Sequence, residues 1–552
     1  MPGDSHALAP QRAEETAARR PVTDSIAGLQ DNPAVAFAIL FLAYALLGWL
    51  LLFSDRAWFH VELFSVSEYI WSGPRAGSFL AKLGALLDWR TFDVSPYRLR
   101  TASDFVEIID AATRPAMRAV WGMHPSATLL GLAMAAAVPG IFYATLRRLG
   151  LGRVHAALIV LSLTTTIGFL SCFVAYIRPA KRLALLGCCL VPYFCMQLQT
   201  RANKPVYLAL MLTLLIGFFA DETGYILLPI AFVLLLRPMI QRRGYLELAG
   251  FVALLLVFIL LARVILPYVY LRFGTSGARA EVVSGQLVFK LLGYLIEPGF
   301  YRVALDDLAT SALASLGILD ASKGLVIAFI GVFFAVTAGA GFLYLRASGA
   351  RATLFWNLLT ISVSLVLISF FLTLFDWFNN PFASNYIGAL TFYYHSAVAI
   401  FAVLWLACVY RTGLDMLRGQ GRLVFGGVSA ACIAVIAVFN FLNFEDINRL
   451  FQILHTYPLD AKALVGTPWR ATPGLEIDRA GRAIRFSVKA DPDATAAEYE
   501  SLVKRSIGPR TGNFLEALAI YKRGPIGTDQ FVQRYVHLFY PTYAITAGAA
   551  KP

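Results

Sequence analysis

The chain has 552 residues, of which 58% are apolar, 13% aromatic and only 15% charged, and its mean hydropathy is +0.65. Ordinary soluble domains carry about 25% charged residues, so these figures exclude a soluble enzyme, a disordered chain, a collagen-like fibre and a coiled coil, and leave a polytopic membrane protein. The formal charge of +13 then points to basic loops beside anionic lipid rather than to nucleic acid.

Residues 1–32 are polar and rich in Pro, Ala and Arg. They lack the short apolar core of a cleaved signal peptide, and the sequence predicts a disordered cytoplasmic tail there. A helix that crosses a bilayer needs about 20 apolar residues. Runs of this kind fall at 33–53, 126–146, 154–176, 183–199, 205–220, 223–236, 246–267, 323–345, 353–375, 388–410 and 423–443, eleven in all. The stretch 205–236 is divided because one helix there would be about 48 Å long. It would also bury Asp221 and Glu222 in lipid, at several kcal/mol each. Two short helices joined at Ala220-Asp221-Glu222-Thr223-Gly224 avoid that cost.

Charge bias sets the orientation. With the N-terminus inside, the inner segments hold Arg12/Arg19/Arg20, Arg147/Arg148/Arg153, Arg201/Lys204, Arg237/Arg242/Arg243, Arg346/Arg351 and Arg411/Arg418/Arg422. The outer turns 220–224 and 376–387 hold no Lys or Arg. This is the pattern of the positive-inside rule. One outer turn breaks it: Tyr176-Ile177-Arg178-Pro179-Ala180-Lys181-Arg182. An odd number of spans leaves residues 444–552 outside. Their alternation over 475–488 predicts two strands around a turn, and 494–506 reads as a helix capped by Asp493, so a small extracytoplasmic α/β domain is expected. Residues 54–125 and 268–322 read as long outer loops.

The six cysteines all lie in apolar runs without metal-ligand spacing and read as small core residues. There is no P-loop, no GxGxxG after a strand, no HExxH and no GxSxG. Polar residues instead gather at the outer border: Asp55 after the first span, Asp93 and Arg98 later in that loop, Arg178, Lys181 and Arg182, then Asp221 and Glu222. Carboxylates and cations on one face suit a substrate that carries a phosphate and a hydroxyl that must lose a proton.

Four pieces between Asp93 and Pro238 resemble the GT-C superfamily of polytopic glycosyltransferases, which includes the protein O-mannosyltransferases and the aminoarabinose transferases. Tyr97-Arg98-Leu99 resembles the family's Tyr-Arg-Pro-Leu. Leu146-Arg147-Arg148-Leu149-Gly150 resembles its inner Leu-Arg-Arg-Leu-Gly turn. Ala175-Tyr176-Ile177-Arg178 resembles its basic outer turn. Asp221-Glu222-Thr223-Gly224, followed by Leu228-Pro229, resembles its Lys-Glu-Thr-Gly…Leu-Pro segment. The chain departs from that pattern where Asp55 stands without a second acid, Leu99 replaces the proline and Asp221 replaces the lysine.

The resemblance implies a GT-C-like fold and an inverting transferase in the cytoplasmic membrane. The donor would be a polyprenyl-phosphate sugar and the acceptor an extracytoplasmic glycan, lipid or protein. Asp55, or Asp93, would be the base. Arg98, Arg178, Lys181, Arg182 and Glu222 would bind substrate, the cations meeting the phosphate. A divalent cation is a candidate cofactor. Each residue also has a plainer reading. Asp55 would pair with Arg56 at the membrane border, the cations at 178–182 would anchor on lipid headgroups, and Glu222 would be an acid at a helix N-terminus. The other function class is a transporter or flippase of an anionic lipid or solute, which would show broken helices and ionisable groups within spans.

Overall fold

The computed structural model describes residues 31–52, 58–59, 129–176, 179–200, 203–220, 222–241, 245–260, 293–318, 321–379, 396–459, 476–477 and 483–488, and a few helical positions between 102 and 113. Thirteen helices are named here in chain order: α1 (Pro33–Leu52), α2 (Leu129–Arg148), α3 (Arg153–Thr165), α4 (Ile167–Val174), α5 (Pro179–Thr200), α6 (Lys204–Ala220), α7 (Leu227–Gln241), α8 (Tyr245–Leu260), α9 (Pro298–Ser315), α10 (Lys323–Arg346), α11 (Gly349–Asn379), α12 (Ser396–Met416) and α13 (Gly419–Thr456). Among the described residues, eight helical stretches are long and apolar enough to cross a membrane. Every apolar run picked out by the sequence coincides with helix over most of its length. Residues 53, 126–128, 261–267 and 388–395 of these runs lie outside the described set.

The ends of these helices follow local chemistry. Asn32 caps α1, its Oδ1 accepting the N–H groups of Ala34 (2.9 Å) and Val35 (3.3 Å), with Pro33 at the first helical position, where it lacks nothing the helix would use. α2 ends in Leu146–Leu151. Gly150 takes φ +82°; Leu151 N–H bonds Leu146 O (3.3 Å) and Gly150 N–H bonds Arg147 O (3.0 Å). That pair of bonds is the Schellman motif, and it requires a residue content with positive φ. The Leu-Arg-Arg-Leu-Gly turn is therefore a helix stop.

Two features depart from the sequence expectation. First, 154–176 is not one helix. It breaks at Thr166 between α3 and α4, where Thr166 has ψ 145°. Thr164, Thr165 and Thr166 each donate Oγ1 to a carbonyl three or four residues back, between Leu161 and Leu163, and Thr166 Oγ1 also accepts Phe169 N–H (3.3 Å). Consecutive hydroxyls bonding backward compete with the helical ladder and cap the next helix. Second, the segment read as an outer loop over 268–322 contains α9. Its buried Phe300, Ala304, Leu308 and Ala312 pack it against α10, α11 and α12. Ser369 donates Oγ to Ala304 O (2.5 Å) and Thr373 donates to Asp307 Oδ2 (3.4 Å).

The carbonyl freed by Pro238 is satisfied from neighbouring helices. Pro238 in α7 has no N–H to give Leu234 O. That carbonyl instead accepts Gln199 Nε2–H from α5 (3.1 Å) and Trp356 Nε1–H from α11 (3.4 Å). In a hydrocarbon surrounding, a freed backbone group must be re-satisfied in this way. One apolar cluster runs through the bundle and includes Phe142, Phe169, Leu214, Phe251, Phe333 and Phe401. Five cysteines are buried in the bundle, as the sequence suggests, while Cys432 is exposed on α13; none is bonded to another.

The basic segments gather at one end. Asp31 pairs with Arg147 (3.2 Å) and accepts Arg153 N–H (2.9 Å). The Arg411 side chain lies against Gly150 and pairs with Asp415 (2.9 Å). His155 lies between the Tyr410 ring and Gly426 O. Arg237 of α7 reaches over the Tyr344 ring of α10.

At the opposite end, Ala175–Tyr176 (β2) pairs in parallel with Trp58–Phe59 (β1). Beyond the bundle, β5 (Ala483–Val488) pairs antiparallel with β4 (Glu476–Ile477), as the alternation at 475–488 predicts, and also with β3 (Tyr457–Leu459) directly after α13. The expected helix at 494–506 lies outside the described residues.

Candidate functional site

Of the candidate residues, Lys181, Arg182 and Glu222 lie on described backbone. Trp58 lies across from Ala175 and Phe59 across from Tyr176. This short ladder joins the chain that follows α1 to the turn that follows α4. Asp55 precedes the ladder by three residues and Arg178 follows it by two. Asp55, Asp93, Arg98, Arg178 and Asp221 themselves lie outside the described residues.

α4 is the element on which this end converges. It touches α1, α3, α5, α9, α12 and α13, and runs directly into β2. Its last carbonyls have no donor within the helix. Cys172 O, in that last turn, accepts Arg182 Nε–H from the first turn of α5 (3.1 Å). Arg182 is only 3% exposed. A cation that caps a helix C-terminus is favoured by the hydrogen bond and by the negative end of the dipole together. The sequence assigns Arg182 to an anion; its Nε bonds the α4 C-terminus and so ties α4 to α5. Lys181 is its neighbour on α5, and its side chain lies outside the described set.

Glu222 opens a 3₁₀ turn, Glu222–Ile226, which leads into α7. The turn touches α5, α6, α7 and α11, so the break expected at 220–224 is present and sunk among helices. Glycines make the close approach available. A Cβ on Gly224 would overlap the backbone of Gly217 in α6, and a Cβ on Gly187 or Gly217 would strike the Leu227 side chain at 2.7 and 2.8 Å. Tyr225 packs against Phe218 with ring centroids 4.6 Å apart. The backbone at Glu222 is thereby fixed beside α5, the helix that bears Lys181 and Arg182. The Glu222 side chain is not among those described.

One acid of the first outer segment was not singled out by the sequence. Asp110 is 2% exposed and its Oδ1 accepts the N–H of Leu130 at the start of α2 (3.0 Å). The available signal was an acid in a short helical pattern, spaced from Ser103 and Val106 by a helical period. Among the described residues, no three His, Cys, Asp or Glu side chains come together as a metal site requires; Asp55 and Asp93 are not among them.

Fold and composition together define a multi-pass membrane protein built from apolar helices. No protein-family model matches the chain, and no curated protein or solved structure is similar to it at a significant level. The resemblance to GT-C enzymes therefore rests on the four sequence pieces alone.

Proposed function

We propose that the protein is an inverting glycosyltransferase of the cytoplasmic membrane that moves a sugar from a polyprenyl-phosphate donor to an extracytoplasmic glycan, lipid or protein. In this reading eleven spans alternate, the N-terminus is cytoplasmic, and the C-terminal residues form a small extracytoplasmic α/β domain. The observation that carries it is the β1–β2 ladder, which ties the segment beginning at Asp55 to the turn bearing Arg178. Asp55 takes the proton of the acceptor hydroxyl, with Asp93 as the alternative base. The hydroxyl oxygen bonds the anomeric carbon as the bond from that carbon to the phosphate oxygen breaks. Polyprenyl phosphate leaves with the electron pair. Arg98, Arg178, Lys181 and Arg182 meet its charge, Arg182 also tying α5, which bears Lys181, to the end of α4, and Glu222 orients the donor.

A second reading, transport or flipping of an anionic lipid or solute, is favoured by the break at Thr166, since broken spans are a device of transporters. Nanodisc-embedded protein incubated with polyprenyl-phosphate mannose and polyprenyl-phosphate aminoarabinose, plus membrane extract as acceptor, separates the two. Release of polyprenyl phosphate with sugar incorporation supports the transferase. Movement of intact lipid across proteoliposomes without bond cleavage supports the alternative.

A further inference from the structure

The segment between α1 and α2 makes a polar contact with the bundle that the proposed chemistry does not use. Residues 102–103, 105–106, 109–110 and 113 are helical. Ser103, Val106 and Asp110 are 1%, 7% and 2% exposed, while Phe105 is 41% exposed. Spacings of three and four residues put the buried three on one helical face. Val106 belongs to the main apolar cluster of the bundle. Asp110 adds a directed bond, accepting Leu130 N–H at 3.0 Å. Leu130 is the second residue of α2, so this N–H is one of the four donors with no partner in its own helix. A carboxylate there also meets the positive end of the helix dipole.

We propose that Asp110 is a latch that docks the helical positions around Ser103 and Val106 on the start of α2, and so is a positioning residue for the proposed transfer. The docking stands on geometry; the positioning role rests on the transferase reading. A carboxylate this deeply buried is held only while donors stay with it. The latch thus fixes the path of a chain stretch that begins four residues after Arg98. It does so from the same end of the bundle as the β1–β2 ladder, which fixes the stretch that follows Asp55.

Ser103→Cys supplies a probe. Ser103 Oγ has no hydrogen-bond partner among the described residues, so a thiol there gives up no bond. The exposed Cys432 is replaced by Ser, and a membrane-impermeant maleimide is applied to the full chain in liposomes. Ser103→Cys should be protected with Asp110 in place, and also with Asp110→Asn, whose carboxamide oxygen still accepts. Asp110→Ala should raise its labelling rate roughly ten-fold, the scale of one buried group left unsatisfied. Unchanged protection in Asp110→Ala would overturn the latch. Labelling of Cys172 or Cys188 in that variant would overturn it too, because the acid would then be holding the whole bundle.

Sugar transfer is measured alongside. Asp110→Ala should raise KM for the donor several-fold more than it lowers kcat, with Asp110→Asn restoring both. Opening by the labelling test with transfer kinetics unchanged would remove the positioning role. Absence of transfer in the unaltered protein would defeat the transferase reading and leave the labelling result standing.

Discussion

Gly224 packs its backbone directly on Gly217, with no room for a side-chain carbon between them. The 3₁₀ turn that begins at Glu222 sinks among α5, α6 and α7 because three glycines, Gly187, Gly217 and Gly224, line its path. Overpacking against backbone cannot be relieved by a rotamer change. Gly224→Ala should therefore destabilise the protein by about 3 kcal/mol or more. Gly331→Ala, on α10 with nothing within 4 Å of its Cβ position, should be neutral or slightly stabilising. Thermal unfolding in detergent measures both.

Leu234 O accepts from Gln199 and from Trp356 because Pro238 leaves it without a helical donor. Hydrogen bonds between membrane helices average about 0.6 kcal/mol and reach about 1.7. Gln199→Ala and Trp356→Phe each leave one donor behind and should lower stability modestly. The double variant strands a buried carbonyl, and its loss should exceed the sum of the two singles. A double-mutant cycle read by unfolding in mild denaturing detergent checks this.

Asp31 ties the start of α1 to the α2–α3 turn. The Arg153 backbone N–H holds its carboxyl below its ordinary range; burial, the next largest effect, opposes this, and the Arg147 and Arg153 charges and the Arg147 hydrogen bond add to the lowering. A lowered folded-state pKa contributes stability above the unfolded value of 3.8 that is lost as pH falls through the folded value. The side chain is 62% exposed, and exposed pairs are worth only about 0–1 kcal/mol. Asp31→Asn should lower the melting temperature slightly at pH 7 and make no difference near pH 2. An equal effect at both pH values would show that the ion pair contributes nothing.

Most of the bundle was legible in the sequence because twenty-residue apolar runs in lipid have no alternative to helix. What was not legible depended on contacts. α9 was passed over because Arg302, Asp306 and Asp307 break its hydropathy, while its buried face is made of small residues such as Ala304 and Ala312. The break at Thr166 was hidden because threonines read as tolerable within an apolar run until their hydroxyls are seen bonding backward. The cap that Arg182 gives to α4 was not legible because a helix C-terminus ten residues earlier leaves no mark in a sequence. The turn at Glu222–Gly224 was legible, since two adjacent acids followed by glycine cannot continue a lipid-facing helix.

The orientation has its own test. The basic turns around Arg147, Arg411 and Arg237 occupy one end of the helices, and the ends at Asn440 and Asn443, which bond Ser315 O and Gly317 O, occupy the other. A reporter fused after Asn443 should be active outside the cytoplasm and one fused after Gly244 inside it, by the positive-inside rule. The reverse pattern would invert the protein and put the candidate site in the cytoplasm.

The most direct test of the transferase account is Asp55→Asn, assayed in nanodiscs for transfer from polyprenyl-phosphate mannose and polyprenyl-phosphate aminoarabinose with donor binding measured in parallel. The substitution keeps the shape of the side chain and removes its capacity to take a proton, a loss worth about 10²–10⁴-fold in rate for a general base. The account predicts transfer reduced by that factor and donor affinity within a few-fold of the unaltered protein. Full transfer by Asp55→Asn would contradict the assignment of the base, and loss of binding together with transfer would make Asp55 a structural residue.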